Sequence, residues 1–136
     1  MRIFLDANIL FSAAKSAGAV HALVSRLLAA RYECWVDGYV IDEARRNLVV
    51  KAAERLPAFE ELVSQLSVSA TAAVLARTEP HGLPEKDRVV LAAAVALECD
   101  VLLTGDRTHF GRLYGRSLAG VRIHSPRSLY GELFAP

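Results

Sequence analysis

Val101-Leu102-Leu103-Thr104-Gly105-Asp106 is a short apolar run that ends in a glycine turn and a carboxylate. Arg2-Ile3-Phe4-Leu5-Asp6 repeats the design near the other end of the chain. Each reads as a buried strand whose last residue is an acid. In an open parallel sheet, ligands bind beyond the carboxyl ends of the strands. Asp6 and Asp106 are therefore expected to face one crevice.

Between and beyond these runs, helical and extended segments alternate. Ile9 to Ala14 reads as helix, and so does Ala19 to Ala30, where Val20, Leu23, Val24, Leu27 and Leu28 recur at helical spacing. Gly18 marks a break between the two pieces. Glu33-Cys34-Trp35-Val36 reads as a second strand and Asp37-Gly38 as a turn. A helix is expected from Val40 through Arg55, with Val40, Ile41, Ala44 and Leu48 as its apolar stripe. Pro57 breaks that helix or begins the next, a short one from Phe59 to Leu66. Ser67-Val68-Ser69 reads as strand or loop, Ala72 to Ala76 as helix or strand, and Thr78 to Pro84 as a loop. Pro84 precedes a helix, Lys86 to Glu98, that is apolar nearly all round and so buried. Thr108-His109-Phe110 begins a short helix or turn. Gly111 to Gly120 reads as a loop and Val121-Arg122-Ile123-His124 as an edge-like strand. Ser125 is the expected N-cap, and Pro126 the first position, of a last helix through Leu133. This alternation predicts an α/β domain, a three-layer α/β/α sandwich around a mostly parallel sheet. At 136 residues it is expected to be one domain, residues 1–136.

Apolar residues make up 53% of the chain and charged residues 23%, enough core and too little charge for a disordered protein. No apolar run reaches the length of a membrane span, and the first residues lack the pattern of a signal peptide. A cytoplasmic location, with no membrane partner, is the expectation. Cys34 and Cys99 have no CxxC spacing and read as buried apolar fillers rather than zinc ligands. The net charge is +1, but it is unevenly spread. Residues 1–106 carry 11 basic and 14 acidic side chains, whereas residues 107–136 carry five Arg and one Glu. A basic rim beside an acidic crevice would suit a phosphate backbone.

Four acids stand out by position: Asp6, Glu43, Asp87 and Asp106. Glu43 and Asp87 would enter the crevice from the early turns of two helices. Carboxylates crowded together repel unless a cation neutralises them, and oxygen ligands of this kind suit Mg²⁺ or Mn²⁺. Each acid also has an ordinary reading. Asp6 can cap the next helix, although Asn8 is a second candidate cap that would free Asp6 for chemistry. Glu43 and Asp87 can serve as favourable charge near helix N-termini, with Asp42 and Glu85 as competing acids. Thr104 and Asn8 are candidates to orient the acids, and Arg107 and Arg112 to touch phosphate. The four histidines share no metal-site spacing. His109 is near enough to Asp106 in sequence to touch substrate, but surface or loop positions are expected for all four. GxSxG, P-loop and GxGxxG motifs are absent, which weighs against a serine hydrolase, an NTPase and a dinucleotide enzyme.

Taken in order, these segments resemble the PIN-domain family. Leu5-Asp6-Ala7-Asn8-Ile9-Leu10 looks like its opening motif, and Val40-Ile41-Asp42-Glu43 with Leu48 like its second. Asp87-Arg88-Val89-Val90-Leu91-Ala92-Ala93-Ala94, then Asp100-Val101-Leu102-Leu103-Thr104-Gly105-Asp106 and Phe110, look like the third and fourth. The resemblance implies a parallel-sheet nuclease fold and Mg²⁺- or Mn²⁺-dependent cleavage of RNA. It also implies Asp6, Glu43, Asp87 and Asp106 as catalytic metal site. Many short members are homodimeric toxins paired with an antitoxin in the VapBC manner. Related sequences often carry a further acid where this chain has Lys86, a residue that could alter metal occupancy or touch phosphate.

Two other classes remain open at this point. A Mg²⁺-dependent phosphotransfer domain also gathers acids at strand ends, but its phosphatase form usually shows DxD, where this chain has Asn8. A catalytically inactive module that binds RNA or protein would keep the fold without the cleavage.

Overall fold

The two runs that end in Asp6 and Asp106 lie side by side at the centre of the sheet. In the structure, a computed structural model that describes residues 1–70 and 82–136, Arg2–Leu5 forms β1 and Val101–Leu103 forms β4. They pair in parallel, Ile3 with Val101 and Leu5 with Leu103. Glu33–Asp37 (β2) flanks β1 on its other side, and Ser67–Ser69 (β3) lies beyond β2. Val121–His124 (β6) continues the sheet past β4, and Ser117–Leu118 (β5) closes that edge antiparallel to β6. The order is β3-β2-β1-β4-β6-β5. The chain therefore leaves β1 towards one edge and later returns to β1's other side. That reversal makes the C-terminal ends of β1 and β4 the switch point at which parallel sheets open a crevice.

Helices cover the sheet as the alternation predicts. Ala7–Lys15 (α1) packs on Ala19–Ala29 (α2), Gly38–Lys51 (α3) and Leu56–Ser64 (α4), while Glu85–Ala96 (α5) packs on β4. With right-handed crossovers, the direction change between β3 and β4 sends α5 to the face opposite α1–α4. Arg107–Phe110 forms the short α6, and Pro126–Leu133 forms α7, packed on β6 and α2. Ile3, Phe4, Leu5, Leu102 and Leu103 are fully buried between the layers. Each such side chain contributes roughly 1.5–3 kcal/mol by leaving water. Cys34 and Cys99 are buried free thiols, as expected.

Several boundaries differ from the sequence reading. α3 stops at Lys51, a 3-10 turn spans Ala53–Arg55, and α4 begins at Leu56 with Pro57 in its first turn. Ala52 adopts φ −160° and ψ 58°, which breaks the helical path one turn past Leu48, the last residue of the apolar stripe. Residues 111–120 are not simply a loop. They hold a 3-10 turn, Gly111–Leu113, and the strand β5. Gly115 and Gly120, at φ 83° and 85°, supply the left-handed turns on either side of β5. As a result β6 is an interior strand rather than an edge. Ser125 caps α7 in a capping box with Ser128, and Pro126 opens the helix. Ala72 to Ala76, and most of the predicted Thr78–Pro84 loop, lie outside the described residues.

Candidate active site

Asp6 is the N-cap of α1, and its Oδ1 accepts from the Ala7 N–H at 2.8 Å. Capping therefore does not pass to Asn8, as the sequence reading allowed. Asn8 instead joins the ends of β1 and β4. Its Nδ2 donates to Asp6 Oδ2 at 3.2 Å and to Thr104 Oγ1 at 3.3 Å, and its Oδ1 accepts from the Gly105 N–H at 2.7 Å. Thr104 is completely buried. Its hydroxyl donates to Asp6 Oδ2 at 2.8 Å and accepts from the Asp106 N–H at 3.1 Å. A Cβ on Gly105 would stand 3.3 Å from Asn8 Oδ1, so glycine permits this close approach. Both strand-end acids are thus fixed by one small network across the switch point.

Asp87 enters from the first turn of α5 and is buried. His109, on α6, stands between two acids: its Nδ1 lies 2.8 Å from Asp106 Oδ2 and 3.0 Å from Asp87 Oδ2. Ionised carboxylates cannot donate, so Nδ1 carries the hydrogen. The hydrogen bond goes to Asp106, and Asp87 Oδ2 is left buried with none. Donor atoms of Asp87, Asp106 and His109 fall within 4.8 Å of one another. Asp6, Glu43, Asp87, Asp106 and Lys86 line one cleft of about 230 Å³.

The charges respond to this crowding. Burial, with Asp87 and Glu43 nearby, pushes the Asp6 carboxyl up to about 6 against the opposing bonds from Thr104 and Ala7. Burial and the Asp106 charge raise Asp87 as well, with His109 and Lys86 working the other way. Asp106 is also penalised by burial, but the backbone and ring N–H groups of His109 outweigh it and hold the carboxyl below its ordinary value. A buried carboxylate oxygen without a donor, beside a second carboxylate, is costly in a metal-free site. The same oxygens are the donor type that hard divalent cations take. The residues present therefore fit such an ion.

A family profile described as PIN domain matches residues 2–108, a span that runs from β1 past Asp106. The chain belongs to the PIN domain family. The same architecture is found in solved structures of low sequence identity. PAE2754 from Pyrobaculum aerophilum is 20% identical, with 100% of this chain and 97% of that one covered and a TM-score of 0.69. VapBC2 from Rickettsia felis, bound to a DNA fragment from its promoter, is 14% identical, with 92% and 98% covered and a TM-score of 0.68. VapC20 from Mycobacterium tuberculosis, a sarcin-ricin loop cleaving toxin, is 16% identical, with 88% and 98% covered and a TM-score of 0.60. At these identities the likeness is one of fold. None of the curated proteins compared with the chain matches it.

Within this PIN domain, the residues singled out by sequence reading fall into two groups. Asp6, Glu43, Asp87, Asp106 and Asn8 border the cleft, with Thr104 buried behind Asp6. Glu43 reaches it from the second turn of α3, half-buried and in one helical row with Asn47 and Lys51. Arg107 and Arg112 are exposed and are not among the described residues that line the cleft. The Arg112 guanidinium instead closes on the space where Gly82 would carry a Cβ. His109 was expected at the surface or in a loop, yet it is half-buried between Asp87 and Asp106. Its signal in the sequence was the spacing of three from Asp106, which puts both residues on one short turn. Among the described residues no helix is long and apolar enough to cross a membrane.

Proposed function

We propose that this PIN domain is a metal-dependent endoribonuclease that hydrolyses phosphodiester bonds of single-stranded or structured RNA. In this reading it is the toxin of a type II toxin–antitoxin pair, homodimeric and cytoplasmic, with a cognate antitoxin as partner, and residues 1–136 act as one nuclease domain. The observation that carries the nuclease reading is the cleft itself. Four carboxylates from four segments border it, and one buried oxygen of Asp87 has no hydrogen-bond donor. The family supports the reading, as does the likeness of fold to proteins named as VapBC components and as a sarcin-ricin loop cleaving toxin.

Asp6, Asp87 and Asp106 would hold Mg²⁺ or Mn²⁺, with Glu43 completing the site or acting on the attacking water. When bound, the ion supplies Lewis acidity towards water and positive charge towards phosphate. Thr104 and Asn8 keep the Asp6 carboxylate in one orientation through their hydrogen bonds. His109 fixes Asp106 in the same manner. Glu43 has no ion-pair partner among the described residues, which leaves its carboxylate free to accept a proton. Lys86 at the cleft brings a cation to the place where phosphate would lie. Arg107 and Arg112 would bind the strand outside the cleft.

The test is cleavage of labelled single-stranded RNA by the purified chain in Mn²⁺, Mg²⁺ or EDTA, beside an Asp6→Asn variant. Metal-dependent cutting that the variant loses is the expected result. Folded wild-type protein that binds RNA in EDTA, yet cuts nothing in any metal, would replace the nuclease by an RNA-binding module.

A further inference from the structure

Phe11 lies on the wall of the acidic cleft, half-buried. One part of its ring packs on the hydrophobic core, and the ring also borders the cleft. The ammonium groups of Lys15 and Lys51 each stand 5.5 Å from its centroid. Lys15 follows Phe11 by one turn of α1, whereas Lys51 arrives from the last turn of α3. Neither lysine pairs with a carboxylate among the described residues, although acids are abundant nearby. The cleft lining therefore combines two chemistries: carboxylates from Asp6, Glu43, Asp87 and Asp106, and the aromatic ring of Phe11 with the Asn47 amide and the Lys51 ammonium. Lys15 stands behind this lining, against the Phe11 ring.

A metal site accounts for the carboxylates only. The other residues have the composition of a nucleotide site: a flat apolar face for a base, ammonium groups for phosphate, and an amide able to donate to and accept from a base edge. We propose, on the basis of the nuclease reading above, that Phe11, Lys15 and Lys51 form a subsite for one unpaired nucleotide next to the scissile phosphate. The base stacks on the Phe11 ring, and the lysines hold the adjoining phosphate. A base inside a duplex has both faces covered by its neighbours. The subsite therefore restricts cutting to single strands and loops, and it tolerates any base because every base has a π-face.

The experiment compares the full-length wild type with Phe11→Leu and Phe11→Tyr on a labelled single-stranded RNA in Mn²⁺. Leucine keeps the apolar contact with the core but removes the aromatic face, and tyrosine keeps both. The expected result is a loss of about tenfold or more in kcat/KM for Phe11→Leu, carried mainly by KM, with Phe11→Tyr near wild type. A series of substrates with one abasic position each should show one position that costs wild type a similar factor and costs Phe11→Leu little more. If Phe11→Leu does not fold, the abasic series on wild type and Phe11→Tyr decides alone. Wild-type cleavage that is indifferent to both Phe11→Leu and every abasic position would overturn the subsite and leave the nuclease intact. Wild-type protein that cuts no RNA would overturn the nuclease reading, and the subsite with it.

Discussion

Asp6→Asn turns the crowding of the cleft into a measurable slope. The Asp6 carboxyl ionises at about 6 in the fold against an ordinary 3.8. Its proton is thus held more tightly in the folded chain than in the unfolded one. Below about pH 4 both states are protonated and the group is neutral towards stability. As pH rises from about 4 the unfolded carboxyl ionises while the buried one keeps its proton, so stability is lost until the folded carboxyl also ionises near 6, and the loss is constant beyond that. The difference between 3.8 and about 6, at 1.36 kcal/mol per unit, is about 3 kcal/mol. Asparagine does not titrate, and it remains a good helix cap. It does exchange one acceptor oxygen for a donor facing Thr104 and Asn8, a penalty of about 1 kcal/mol that is constant with pH. The assay is urea unfolding of both proteins in EDTA between pH 4 and pH 8. The stability of Asp6→Asn relative to wild type should climb by about 2.5 kcal/mol across that range, most of it between pH 4 and pH 6. Saturating Mg²⁺ or Mn²⁺ should restore wild type and leave the variant behind. A difference that stays flat with pH would show that Asp6 is not a strained buried acid, and the argument for a cation would lose its electrostatic basis.

Three further outcomes follow from the packing. Thr104→Val keeps the shape of a fully buried side chain but leaves Asp6 Oδ2 one donor short and the Asp106 N–H without its acceptor. Urea unfolding should show a loss of about 1–3 kcal/mol, and a change within about 0.5 kcal/mol would refute the network. Leu102→Ala opens a cavity in the central sheet and should cost about 2–5 kcal/mol by the same measurement; a smaller loss would mean that the core collapses around it. Cys34 and Cys99, both pushed up to about 12 by burial, should resist a thiol reagent at pH 8 until the chain is unfolded. Labelling of the native protein at the rate of a free thiol would contradict their burial.

The central strands were legible because their chemistry is concentrated. Ile3-Phe4-Leu5 and Val101-Leu102-Leu103 are apolar without interruption and end in acids, and no helix of ordinary length reads that way. The fold class followed from the alternation around them. β5 was not legible, since Ser117-Leu118 has no strand character of its own and exists by pairing with Arg122 and Val121. The end of α3 was misplaced because Ala52 through Leu56 all tolerate helix, and only the turn in three dimensions breaks it. For the site, the strand-end acids were visible as carboxylates in costly positions. Asn8 and Thr104 were legible as candidates to orient the acids, but the reach of Asn8 to Thr104 and Gly105 and that of His109 to Asp87 were not, because those partners come from distant parts of the chain. Phe11 carried no signal at all: its significance comes from Lys51, which lies 40 residues away in sequence.

The pairing of β1 with β4 has a consequence for how the molecule comes into being. Ile3 waits for Val101, and the Thr104–Asp6 bond joins residues 98 positions apart. Contacts of such separation bear the full entropy of closing a long loop before they return anything. β1 can pair with β2 early, but one of its sides stays unsatisfied until nearly the whole chain has been made. The acids of the cleft are strangers until that moment. A chain still short of β4, or one whose β4 has locally opened, has Asp6 in place without Asp106 beside it.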